Sequence, residues 1–149
     1  MAVVFSSPAF AVNWSDKDQS TIALSRCEAV YAYLANLSMM GGNESAAKMY
    51  LSHSVTLATG NMFLNRESGE DVIKAERLRL MTESKRGMRK EHDENAELLR
   101  QRADDCRSVT PRVINRFGNA PKMWGKNFIE VRDELLKAYP ENNHRELLL

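Results

Sequence analysis

The sequence predicts an all-α fold, a single-domain antiparallel bundle of four to six helices. Three observations lead there. The composition is rich in Ala, Leu, Glu, Arg and Met, with only four Pro and seven Gly among 149 residues, which favours helix. Apolar side chains recur at three- and four-residue intervals through most of the chain. Gly, Pro and Asn punctuate that pattern where helix ends are expected. At 43% hydrophobic and 28% charged, the composition is that of a globular domain. A chain of this length buries roughly 70% of its extended surface on folding.

The first helix opens at Ser15-Asp16-Lys17-Asp18, an N-cap with acids in the first turn. Ile22, Cys27, Val30, Tyr31 and Leu34 follow at helical spacing, and Ala23, Ala29, Ala32 and Ala35 leave room for a close partner. Gly41-Gly42 stops it after about Met40. Asn43 caps a second helix whose apolar face includes Ala47, Tyr50, Leu51, Val55, Met62 and Phe63. Gly60 within it costs about 1 kcal/mol relative to Ala, and Ser68-Gly69 ends the segment. The short Gly41-Gly42 connection makes these two helices antiparallel neighbours.

A third pattern starts after Gly69, with Glu70 and Asp71 at its positive end and Val72, Ile73, Ala75, Leu78, Leu80 and Met81 as apolar positions. Residues 82–97 then carry only Met88 and Ala96 as apolar side chains, so they are expected to project into water. Leu98, Leu99, Ala103, Cys106 and Val109 resume the helical spacing. One unbroken helix over residues 70–107 would be about 55 Å long. It would carry Cys106 far from Cys27, whereas a disulfide requires Cα atoms within about 7 Å. A protruding charged hairpin around residues 82–97, reversing near Gly87, brings the two together and is the preferred arrangement. The i,i+4 pairs Arg89/Asp93 and Lys90/Glu94 weigh on the other side, for local helix.

Thr110-Pro111 opens a short helix as cap and first helical residue, with Val113, Ile114 and Phe117 inward. A last helix is expected from about Met123 to Tyr139, with Trp124, Phe128, Val131, Leu135 and Leu136 on one face, ended by Pro140. Three segments result: residues 1–11, a bundle over 12–140, and a frayed tail at 141–149. Residues 1–11 are uncharged and contain Ala9-Phe10-Ala11 behind Pro8, a small-x-small pattern read as the tail of a truncated signal peptide. The competing reading is an apolar arm on the bundle.

Function is bounded more than it is specified. A net charge of +1 disfavours a dedicated nucleic-acid binder, and no run of about 20 apolar residues spans a membrane. The two cysteines, Cys27 and Cys106, form an even pair that an oxidising compartment would join. His53, His92 and His144 are scattered, without metal-ligand spacing. No nucleophile elbow or phosphate loop is present. No cofactor, metal or small-molecule ligand is inferred. The tyrosines Tyr31, Tyr33 and Tyr50 and the methionines Met39, Met40, Met62 and Met81 have ordinary core spacing, with an adaptable binding groove as the competing reading.

Residues 74–90 are predominantly basic and residues 91–105 predominantly acidic, so the two limbs of the hairpin would attract. The candidate partner-binding residues are Lys85, Arg86, Arg89, Lys90 and Trp124. The expected function is that of an exported, periplasmic or secreted, non-catalytic helical protein acting through contacts with a protein partner. The alternative is a cytosolic regulator binding nucleic acid through residues 85–90.

Overall fold

A computed structural model describes residues 12–142; the signal-peptide reading of residues 1–11 and most of the C-terminal tail fall outside the described residues. Among the described residues six helices pack together: α1 (Lys17–Met40), α2 (Glu44–Leu64), α3 (Glu70–Glu94), α4 (Ala96–Cys106), α5 (Val109–Phe117) and α6 (Phe128–Asn142). The expected all-α bundle is the observed one.

The antiparallel pair α1–α2 forms the centre. The Asp16 side chain caps α1 by accepting from the Gln19 N–H at 3.0 Å, one residue later than Ser15. Asn43 caps α2 by accepting from the Ala46 N–H, also at 3.0 Å, and Gly42 turns the chain between them at φ 76°. Side chains between these helices are small or polar: Ala23, Ala29, Ala32, Ala35, Ala47, Ser25, Ser54 and Thr59 are all buried. Buried polar groups need partners. Asn61 Nδ2 donates to Ser25 Oγ at 2.8 Å, Ser54 Oγ to the Glu28 carbonyl at 3.0 Å, and Thr59 Oγ1 to the Val55 carbonyl at 2.8 Å.

On the α2 flank, α5 and α6 close the base of the bundle. Phe63, Phe117 and Phe128 cluster there with ring centroids 5.5–6.4 Å apart, each ring contributing about 1.5–3 kcal/mol by burial. Gly60 is explained by this packing. A Cβ there would lie 2.5 Å from Val113 Cγ1, so the glycine lets α5 approach α2. Trp14 ties the chain's entry to α5: Arg112 sits 5.0 Å over its ring, and Arg116 donates to its carbonyl at 3.1 Å.

The other flank revises the expected hairpin. α3 continues through Gly87 to Glu94, and the reversal occurs at Asn95, whose φ of −162° is extended. The Asn95 side chain accepts from the Glu97 N–H at 3.0 Å and starts α4 on its way back along α1. Two contacts explain the displacement. Met88 is buried at 6% exposure, and Tyr33 Oη lies 2.8 Å from His92 Nδ1. The polar stretch therefore lies against α1 instead of projecting. A single helical glycine costs only about 1 kcal/mol, too little to break a helix held at both points. Val72 and Leu78, expected inward, are 61% and 62% exposed. The side chains of Leu80 and Met81 lie outside those described.

Further expectations change in the last third of the chain. The Thr110 side chain bonds His53 and not the start of α5, while Ile114 is exposed. Met123 and Lys126 exchange backbone hydrogen bonds around a tight turn at Trp124 and Gly125, with φ of 54° and 77°. Trp124 is therefore no part of the last helix. That helix starts at Phe128, where Asn127 and Glu130 form a reciprocal capping box,. It passes Pro140 to end at Asn142.

Candidate functional site

Cys27 and Cys106 are joined, with Cα atoms 5.5 Å apart and a sequence separation of 79. The two residues are 2% and 4% exposed, so the bridge is sealed within the bundle. It became possible because α4 runs back along α1 from Asn95. The bridge couples α1 to a limb that buries few of its described side chains.

Beside the cystine, α2 and α4 flank α1 and leave a groove of about 710 Å³ between them. Its floor is Tyr31 and Leu34 of α1, and one wall is Met49, Tyr50 and His53 of α2. The facing wall comes from one side of α4, where Ala96 and Ala103 are too small to fill the gap. Tyr31 stacks on two rings, that of His53 at 4.8 Å and that of Tyr50 at 6.2 Å. His53 Nδ1 meets Thr110 Oγ1 at 2.9 Å, which fixes the ring against α5. Desolvation holds His53 below the ordinary histidine pKa, so the imidazole is neutral at pH 7. Burial raises the Tyr31 pKa above the ordinary value, opposed by the nearby Arg107 charge and the Thr110 hydrogen bond. The floor of the groove is thus uncharged, and its charges, Arg100, Asp104 and Arg107, stand on the exposed rim.

A hydroxyl against an imidazole has the look of an activated nucleophile. Thr110, however, is only 6% exposed, and a substrate carbonyl has no approach to its oxygen. The contact acts as a clasp between α2 and α5. Among the described residues no group of three or more His, Cys, Asp and Glu side chains could hold a metal ion.

The expected partner-binding residues fall on different flanks. Arg86, Arg89 and Lys90 are exposed on α3, which packs on α1; the Lys85 side chain lies outside those described. Arg89 is near enough to Tyr33 for its charge to oppose the burial-driven rise in that phenol's pKa. Trp124, 48% exposed, sits in the turn between α5 and α6, which pack on α2. No single surface unites Arg86, Arg89 and Lys90 with Trp124. The ion pairs Glu70–Lys74, Glu76–Arg79–Glu83 and Asp104–Arg107 are local to one helix or its cap, and exposed pairs of this kind add little stability.

From sequence, Tyr31 and Tyr50 read as ordinary core in preference to an adaptable binding groove, and Thr110 reads as a cap. A further legible signal is the i,i+3 spacing of Tyr50 and His53, which places two rings on one face of α2. Comparison with protein-family models, curated proteins and solved structures returns no match to this chain. Among the described residues, no helix is long and apolar enough to cross a membrane.

Proposed function

We infer that this chain is an exported, non-catalytic helical protein that acts through contacts with a protein partner. The observation that supports it most is the buried Cys27–Cys106 bridge. Such bridges persist in oxidising compartments and are uncommon in the cytosol. Here the bridge holds α4 to α1, so reducing conditions would loosen the flank that carries Arg86, Arg89 and Lys90. This dependence favours export over the alternative of a cytosolic nucleic-acid regulator. Trp124 in its strained turn and the basic stretch of α3 at Arg86, Arg89 and Lys90 are the surfaces assigned to partner contact. An exposed indole supplies contact area at little entropic cost.

Acid-quenched thiol trapping of the protein in cells, expressed with its native upstream sequence, tests compartment. The expected result is both cysteines blocked to alkylation and the protein outside the cytoplasmic fraction; free thiols in a cytoplasmic protein overturn the assignment. A photo-crosslinking residue at position 124 or 90 should capture a protein. Nucleic-acid adducts at position 90 that vanish with added salt would instead establish the alternative.

A further inference from the structure

The groove between α2 and α4 has a polarity along its length. Its polar end is built from His53, Tyr31 and Arg107, since Arg107 and Asp104 both act electrostatically on the Tyr31 hydroxyl and Thr110 clasps His53. Its other end, towards Leu34, Met49 and Leu99, is apolar. Flat rings make up much of the α2 side, because Tyr50 and His53 are half-buried and both stack on Tyr31. Alanines at 96 and 103 keep the opposite wall low. At about 710 Å³, the volume lies in the range of small-molecule sites, roughly 300–1,000 Å³.

We propose that this groove binds a planar aromatic carboxylate. The ring lies between Tyr50 and the small residues of α4, and the carboxylate sits at the Arg107 end. The charge arrangement selects the sign of the ligand. Arg100 pairs with Glu97 at 3.9 Å, so the anion is selected at Arg107, and a neutral His53 adds no repulsion to an apolar ring. Asp104 accepts one hydrogen bond from Arg107 Nη2 at 2.7 Å. A guanidinium has five N–H donors, so that bond leaves donors for a second carboxylate. Selection of a ring over an alkyl chain comes from the stacked walls, because offset stacking adds to area burial.

The test is a titration of the oxidised full chain with 2-naphthoate, 2-naphthalenemethanol and decanoate, followed by amide chemical shifts. The expected result is saturable 2-naphthoate binding with shifts centred on Tyr50, His53 and Ala103, and weaker binding of decanoate. Ala103→Leu fills the gap and should weaken 2-naphthoate about tenfold or more, the loss expected when a pocket is occluded. Arg107→Gln, on the exposed rim, should retain the fold and weaken 2-naphthoate about fivefold, as for an exposed charge contact. The same variant should leave 2-naphthalenemethanol unchanged. Absence of saturable 2-naphthoate binding, shifts centred elsewhere, or equal affinity in both variants would overturn the site. Tighter binding of decanoate, or of the alcohol, would overturn the ligand class.

Discussion

The two helical hairpins of this molecule, α1–α2 and α3–α4, solve the same packing problem by different means. The first is closed by side chains: alanines, serines and threonines bring the helices together, and buried hydroxyls and amides bond across the seam. The second buries little. Ile73, Met88, Leu99 and Cys106 are its buried apolar residues among those described, and a cystine fastens it to α1. A limb too polar to be held by burial alone is held covalently. Cross-linking acts mainly by restricting the unfolded chain and so does not require a large apolar face.

Removing the bridge should separate the two hairpins most clearly. For a closed loop of this size the chain-entropy estimate is about 4–5 kcal/mol. A Cys27→Ala/Cys106→Ala variant should lose stability of that order in denaturant titration. Its hydrogen-exchange protection should fall in α3 and α4 before it falls in α1 and α2. Equal loss in both hairpins would show that the seam of small residues does not hold independently.

The helical glycines sharpen the contrast. Gly60→Ala drives a Cβ to 2.5 Å from Val113 Cγ1 and should cost about 1–3 kcal/mol, the range for overpacking. Gly87→Ala meets nothing within 4 Å and should stabilise by about 0.4–1 kcal/mol. Opposite signs in thermal melts would confirm that α2 is packed at its glycine and α3 is open at its own.

The smallest expected effect is on pH dependence. Desolvation lowers the folded-state pKa of His53 below its ordinary value of 6.5. The unfolded chain then binds the proton more readily than the folded chain. The contribution is fully present above pH 6.5 and is lost as pH falls through 6.5 towards the lower folded-state pKa. Melting temperatures across that window should fall less steeply in His53→Asn than in the wild type. Parallel profiles would remove His53 as the source.

Much of the architecture was legible because it is local. Asn43 and Gly41-Gly42 act within one turn of the helix ends they govern, the cap of α1 lies one residue past Ser15, and the alanine spacing of α1 already implied a close partner. The pairing of Cys27 with Cys106 was also anticipated, from their even number and the compartment expected, and it called for a reversal because an unbroken helix could not bring them together. The turning point itself was misplaced by eight residues. Gly87 is the conspicuous breaker in residues 82–97, while Asn95 resembles every other polar residue around it. The Asn127/Glu130 capping box was likewise a local signal passed over, hidden behind the expectation that Trp124 was helical.

The sequence by itself determined the helical class, most helix starts and stops, and the need for a chain reversal ahead of Cys106. These follow from propensity, capping and periodicity, which act over a few residues. Only the tertiary structure decided where the reversal falls, because it is set by Met88 burying against α1 and His92 meeting Tyr33, far apart along the chain. It alone also decided that α2 and α4 stand apart on α1. A groove is a space between elements, and no residue encodes it separately from the packing that leaves it open.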